Sequence, residues 1–480
     1  MGQVSTVLIG LILYLLVVLV IGLLAYRQNR THSDYILADR KLGSWAIALS
    51  ERASGESAWL LLGLPGAALA LGFLEIWTVL GCLSGIILSW IFIAKPLREL
   101  SGRYQSLTLP DLIASHFDDE KNLLRISASV IITFFFTFYV AAQFNGAGKV
   151  LNVTFGLDQV TGMVIGAGII VFYTLLGGFF AVVWTDMIQA VIMFATLVIL
   201  PIAGFIEIQQ LSVSELHSIP DSVFSLTGGK SGIWAVLAVV GGLSWGFGYS
   251  GQPHLLARYM AIKDSDGIRK SRIIAFTWAI PAFFGAFFLG IVGLKLYGSG
   301  LFPDPEQLMP YMATALMPGW IAGMLISGAI AAMMSTADSQ LIVTTATLTE
   351  DFYHKILKHK ELSPENLLLF SRLAAFSAGV VAFLLAWSSS ELVFSMVSYA
   401  WSGLGASFGP VLIMMIYWKR TSAAGALAGM LTGALTTIIW KSIPILENTV
   451  TERLSSFVAA FAMVALISLL FPKKEKKLFC

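Results

Sequence analysis

Ser50-Glu51-Arg52-Ala53-Ser54-Gly55-Glu56-Ser57-Ala58-Trp59 interrupts an apolar stretch that otherwise runs from residue 44 to residue 71. Three charges, three serines and a glycine fall within ten residues. One charge at the centre of a bilayer costs roughly 2.5–3.5 kcal/mol on insertion scales, so such a group requires pairing or hydration. A second stretch, Ser244-Trp245-Gly246-Phe247-Gly248-Tyr249-Ser250-Gly251-Gln252-Pro253-His254, places three glycines and a proline inside the apolar segment 233–259. Glycine and proline both disfavour continuous helix. Inside hydrocarbon, backbone freed from a helix is tolerated only where it lines a cavity or is buried in protein. The two interrupted segments open two blocks of five apolar segments, 44–208 and 233–418. Such a pair in matching places points to the binding site of a secondary transporter. The ordinary frequency of glycine and proline in membrane helices accounts for one interruption, but poorly for two in corresponding positions.

The rest of the chain reads as an all-α membrane protein. Hydrophobic residues make up 57% of the 480 and charged residues 12%, with a mean hydropathy of +0.81; soluble domains carry about twice that charge. Thirteen membrane spans are expected, at 4–26, 44–71, 74–96, 124–150, 159–177, 184–208, 233–259, 272–297, 311–350, 367–388, 393–418, 421–441 and 450–471. The 311–350 segment is too long for one perpendicular crossing and is expected to tilt or project. The first segment is too long for a signal-peptide core and lacks a basic start, so it reads as a retained helix. With the N-terminus outside, the cytoplasmic side collects 24 of the 30 Lys and Arg and the outer side 5, with Arg52 inside a span. That asymmetry sets the orientation and leaves the C-terminus cytoplasmic. The expected unit is one transporter domain over 1–480: a leading helix, two repeats, and two trailing helices at 421–471.

A net charge of +2 gives no reason to expect nucleic acid, and the two cysteines, Cys82 and Cys480, build neither a disulfide framework nor a metal site. The six histidines show no ligand spacing, and no nucleophile–base pairing suggests an enzyme. No cofactor is expected. The expected partners are a small solute, sodium and membrane lipid, with the chain resident in the cell membrane.

Several strings together resemble the sodium/solute symporter family, and in particular its proline-carrying bacterial branch. They are Asp34-Tyr35-Ile36-Leu37, Leu60-Leu61-Leu62-Gly63-Leu64-Pro65-Gly66-Ala67, Leu107-Thr108-Leu109-Pro110-Asp111, Gly177-Gly178-Phe179 with Trp184-Thr185-Asp186, Gly248 to His254, and Val397-Ser398-Tyr399-Ala400-Trp401. The resemblance implies a leucine-transporter-like core of two inverted five-helix repeats with flanking helices. It also implies sodium-driven uptake of a small amino acid, L-proline foremost, by alternating access. Carried over residue by residue, it places sodium on backbone oxygens of Ala53, Glu56 and Ala332 and on the hydroxyls of Ser335 and Thr336. Asp186, with Asp338 and Ser339, is implied in a second sodium site or on the sodium route. A carboxylate stabilised by a helix N-terminus is the local alternative for Asp186. Ser57, Trp59, Tyr139, Trp245, Tyr249 and Pro253 are implied for the solute. Of these, Trp245 and Tyr249 stand four apart beside the second interruption and share a helical face. Arg258 reads as an orientation anchor at the inner end of its helix.

One departure stands out. Proline carriers of this family hold an aspartate at the position of Gly55, and here Glu51, Arg52 and Glu56 surround it instead. Arg52 and Glu56 have the i,i+4 spacing of a helical ion pair. Three readings stay open, in order of preference. Glu56 takes over the aspartate's role and sodium coupling survives; Arg52 serves as a built-in cation, making transport sodium-independent or proton-coupled; or Arg52 binds the carboxylate of a different solute.

Overall fold

The structure is a computed structural model, and it describes residues 2–26, 36–176, 178–356 and 364–473. Asp34, Tyr35 and Gly177 of the quoted strings, Cys480, and the basic residues Arg27, Arg30, Lys358, Lys360, Lys474, Lys476 and Lys477 lie outside the described residues. Among the described residues every regular element is a helix, apart from an isolated bridge between Leu42 and Ile262. The helices are α1 (Gly2–Tyr26), α2 (Ser44–Ala58), α3 (Leu64–Leu71), α4 (Ile76–Leu88), α5 (Ala94–Tyr104), α6 (Leu109–His116), α7 (Leu123–Phe155), α8 (Gln159–Leu176), α9 (Phe179–Gln210) and α10 (Gly232–Leu243). They continue as α11 (Trp245–Gly248), α12 (Pro253–Ala261), α13 (Gly267–Tyr297), α14 (Leu308–Leu316), α15 (Gly319–Ala346), α16 (Pro364–Ser388), α17 (Val393–Tyr417), α18 (Ala423–Ser442), α19 (Pro444–Thr449) and α20 (Glu452–Leu470).

Among the described residues ten helices are long and apolar enough to cross a membrane, or eleven if the bent pair 232–248 and 253–261 forms one span. This count differs from the thirteen expected in two places. Residues 44–104 run as one helical stretch through a short turn at Gly72–Glu75, and α8 is a shorter apolar helix. The expectation of one continuous span at 311–350 is corrected: this segment is not one helix. Met317 is extended (φ −115°, ψ 146°) and Pro318 precedes the first residue of α15. A residue before proline avoids the helical region, which ends α14 there.

Both interruptions are breaks in the backbone. Ser57 leaves the helix with φ 48° and ψ −170°. The second break runs through residues 249–252, between α11 and α12, with a bend of 43°. Gln252 is extended and Pro253 opens α12, the helical position that best tolerates a missing N–H. Gly248 and Gly251 are required by close approach: a Cβ at Gly248 would overlap the Trp401 indole, and one at Gly251 would stand 2.6 Å from Gly409 N.

Burial sorts the helices. In α15 and α17, 83% of the apolar window is buried, against 28% in α1 and 22% in α20. The central helices therefore pack against protein on nearly every side, and α2 lies among them, buried from Ala46 to Ala58 with Leu49 half-buried. The Thr108 hydroxyl caps α6 at Asp111 N, and Asp111 and Asp351 flank Arg125 at 3.0 and 2.7 Å. The Leu107–Asp111 string thus clamps three helical segments rather than serving the centre.

Candidate functional site

The break at Ser57 redistributes backbone hydrogen bonds. In an unbroken helix the Ala58 N–H would serve the Ser54 carbonyl; here it donates to Gln143 Oε1 of α7 at 2.9 Å. The carbonyls upstream turn to α15. Ser335 Oγ donates to Ala53 O at 3.0 Å and lies 3.1 Å from Ala332 O, while Thr336 Oγ1 donates to Ser54 O at 3.0 Å. Ala53, Ala332 and Ser335 thus converge. Thr336 faces the neighbouring carbonyl of Ser54, and the Glu56 carbonyl accepts from the Trp59 N–H.

Two separate charge clusters flank these oxygens, and every member is fully buried. In the first, Arg52 reaches Glu56 at 2.5 Å through Nη1 and both oxygens of Glu51, the Nε contact being 2.6 Å. Trp90 Nε1 and the Tyr259 hydroxyl each donate to Glu51 at 3.2 Å, and the Tyr249 hydroxyl donates to Glu56 Oε2 at 3.2 Å. The Arg52 guanidinium also lies 5.7 Å from the Tyr249 ring centre. Each acidic group is hydrogen-bonded as well as paired, the condition under which buried charge is tolerated. Two carboxylates against one guanidinium leave one formal negative charge.

The second cluster centres on Arg258. Its Nη2 approaches Asp186 Oδ2 at 3.1 Å, Ser54 Oγ at 2.9 Å and Ser339 Oγ at 2.5 Å, and its Nε donates to Ser50 Oγ at 3.1 Å. Ser50 and Ser54 also donate to Asp186 Oδ2, at 2.6 and 3.0 Å. Two expectations are corrected here. Arg258, expected as an orientation anchor at the inner end of its helix, is a fully buried ion-pair partner of Asp186, because α12 ends against α2, α9 and α15. Asp186 does not sit at a helix N-terminus, since α9 begins at Phe179, so the end of the helix dipole does not account for it. Asp338 turns away from this group and accepts from the Thr174 hydroxyl.

The solute candidates gather around aromatic rings. Trp59 and Trp245 stack with centroids 4.6 Å apart at 18°, which brings the two broken segments face to face. Trp401 of α17 joins them, 6.4 Å from Trp245, 4.7 Å from Tyr249 and 6.5 Å from Tyr139. Its Nε1 donates to Trp245 O at 3.0 Å, and Gln252 Nε2 donates to Trp401 O at 3.0 Å, so both sides of the second break lean on α17. Ser57 Oγ accepts from the Trp59 N–H at 3.3 Å, and Pro253 is buried at the start of α12. The Trp59 indole nitrogen and the Tyr139 hydroxyl are buried without a hydrogen-bond partner. Unpartnered buried donors are uncommon enough to require an explanation. Among the described residues no group of His, Cys, Asp and Glu has the arrangement of a metal-chelating cluster.

The profile of the sodium:solute symporter family matches residues 35–433. The chain belongs to this family. It is 39% identical over 458 residues to the high-affinity proline transporter PutP of Bacillus subtilis (strain 168), covering 94% of this chain and 95% of that one. It is 33% identical to the osmoregulated proline transporter OpuE of the same organism, covering 98% and 96%. It is 36% identical to the sodium/proline symporter of Escherichia coli (strain K12), covering 91% and 88%. Among solved structures, a substrate-bound, outward-open Na+-coupled sialic acid symporter superposes with a TM-score of 0.78 at 20% identity, covering 98% of each chain. At that identity the likeness concerns the fold. The protein is thus a multi-pass transporter rather than an enzyme.

Reasoning from the sequence missed several residues of this symporter. Ser50 and Ser54 stand in the quoted first stretch, but only the Arg258 network shows their use. Gln143 carried no local signal, because its role depends on a backbone break in another helix. Trp401 lay in a recognised string and was not assigned a part.

Proposed function

We propose that the protein is a sodium-coupled symporter of a small amino acid, L-proline foremost, working by alternating access. The observation that carries this reading is the placement of Arg52. Its guanidinium is engaged by Glu51 and Glu56, so it does not lie on the oxygens gathered at Ser335. That arrangement favours the first of the three readings opened by Gly55. Ala53 O, Ala332 O and Ser335 Oγ are hard donors around freed backbone, the kind of site in which broken transporter helices hold sodium. Ser335 is also free to turn its proton away from Ala53 and present an oxygen to the ion. Thr336, Ser54 O and Glu56 O complete the candidate set from the same two segments. The names of the relatives agree with proline as cargo.

The same geometry favours a single coupling ion. Asp186 and Ser339, candidates for a second sodium site, already hold the Arg258 guanidinium. A resident cation on those oxygens favours one sodium per cycle, with Asp186 and Asp338 beside the ion's route. For the solute, stacked Trp59 and Trp245 offer apolar faces to a pyrrolidine ring. The unpartnered donors of Trp59 and Tyr139 offer hydrogen bonds to a carboxylate. The finer architecture we propose is thirteen crossings, the N-terminus outside, and two inverted five-helix repeats at 44–208 and 233–418.

Labelled-proline uptake into proteoliposomes, with sodium and proton gradients imposed separately, tests the reading. Sodium-driven accumulation is expected. A response to the proton gradient alone, flat across sodium concentrations, would overturn the coupling assignment. Absence of proline uptake and competition would remove the solute.

A further inference from the structure

Two apolar stripes face each other where α8 and α16 meet, on the outside of the molecule. On α8 the stripe steps from Val164 to Leu175 in threes and fours, and on α16 from Phe376 to Phe383. That spacing marks one face of each helix. The helices touch midway, since a Cβ at Gly379 would stand 2.7 Å from Val171 Cγ2. Beside that contact they part, because a Cβ at Gly168 would meet no atom within 4 Å. The result is an open crevice of about 340 Å³ whose lining residues carry no charged or hydrogen-bonding side chain. With walls that touch at Gly379, it is too narrow for another helix, which measures roughly 10 Å across. The α8 stripe rises about 16 Å, close to one leaflet of a hydrocarbon core about 30 Å thick. Arg372 stands one turn before Phe376 on the same face of α16. It is half-buried, and its Nε is shielded from solvent without a hydrogen-bond partner. On the topology proposed above, this is the cytoplasmic end of α16.

We propose that the crevice holds one acyl chain of an anionic phospholipid from the cytoplasmic leaflet, with Arg372 on its phosphate. The wall offers a polar solute nothing to bind, whereas a single hydrocarbon chain fits both its width and its length. A guanidinium at the end of the crevice matches a phosphate through paired N–H donors. Basic groups between membrane helices on the cytoplasmic side take anionic headgroups in this way. A zwitterionic phospholipid carries the same phosphate, but also a cation that Arg372 repels. Both walls back the central breaks, because α8 and α16 each pack on α7 and α15, the helices that carry Gln143 and Ser335. A chain lodged between them therefore becomes part of the layer that supports those two helices.

Photolabelling of the full chain in phosphatidylcholine vesicles tests this. A trace of phosphatidylglycerol with a diazirine on one acyl chain should mark peptides 164–175 and 376–383. Added unlabelled phosphatidylglycerol should suppress the mark, and the same amount of added phosphatidylcholine should not. Phosphatidylcholine carrying the same diazirine should mark these peptides about fivefold less, the contribution of one basic residue at the membrane surface. Gly168→Leu fills open space without overlap and should remove the mark, while labelling of α1 and α20 stays as in the parent. Arg372→Gln should keep the mark but lower phosphatidylglycerol to the level of phosphatidylcholine. The two variants act on different parts of the site, so either decides the matter if the other fails to fold. Equal marking by the two lipids in the parent, no competition, or a mark that persists in Gly168→Leu means bulk lipid only and overturns the proposal. A diazirine fatty acid that marks the crevice more strongly than phosphatidylglycerol, and is not displaced by it, overturns the phospholipid assignment.

Discussion

The two broken segments reach the same place by different means. The first leaves the helix at a serine with positive φ, inside a run of charged residues, and its surroundings are fixed by ion pairs and hydrogen bonds. The second breaks at small residues and a proline, with no charge within the break, and is fixed by contact with α17. A polar break depends on every partner being present, whereas a steric break depends on nothing being added. Substitutions should therefore damage the two in opposite ways: removals at the first, additions at the second.

The largest effect is expected at the first break. Arg52→Ala leaves Glu51 and Glu56 buried without their cation, and removal of one member of a buried charge group costs about 3–5 kcal/mol. Folded protein recovered after purification should drop sharply. Combining Arg52→Leu with Glu51→Gln and Glu56→Gln should recover much of it; no recovery would mean that Arg52 acts through something other than those carboxylates. At the second break Gly251→Ala pushes a methyl group against the backbone of α17, at a cost of about 1–3 kcal/mol from overpacking. A melting temperature equal to that of the parent would contradict the close approach. Trp245→Ala should raise the half-saturating solute concentration roughly tenfold or more, through loss of one stacked aromatic contact. Unchanged uptake kinetics would take Trp245 out of the solute path.

How far could the sequence be read? Both breaks were legible because charges, glycines and proline are conspicuous against an apolar background. The pairing of Arg52 with Glu56 was legible from spacing, because both lie on the half-helix before Ser57. The role of Arg258 was not. Its partners Asp186, Ser54 and Ser339 come from three other helices, and nothing local distinguishes a basic residue near a helix end from one buried at a helix junction. The division of 311–350 was missed because apolar character runs on through Met317 and Pro318, so hydropathy masked a boundary that the pre-proline restriction imposes.

Two smaller effects sharpen the contrast. Ser335→Ala removes one oxygen from the candidate ion site and should raise the half-saturating sodium concentration roughly tenfold, equivalent to about 1.4 kcal/mol. Solute dependence at saturating sodium should stay close to that of the parent; an unshifted sodium response would remove Ser335 from the site. Ser57→Gly should do the least. It relieves a backbone conformation that costs a non-glycine residue about 1–3 kcal/mol, against loss of the hydroxyl near the Trp59 N–H. A slightly higher melting temperature is expected, and a clear drop would show that the hydroxyl matters more than the strain.

The guanidinium between Glu51 and Glu56 is a cation that cannot leave. A diffusible ion in the same place would come and go with the medium, so the charge at that point would follow the salt outside. A tethered partner has an effective concentration set by its linkage, whatever the bulk composition. The electrical state of the first break is thus written into the covalent chain. A carrier built this way keeps that countercharge in place in dilute and in concentrated salt alike.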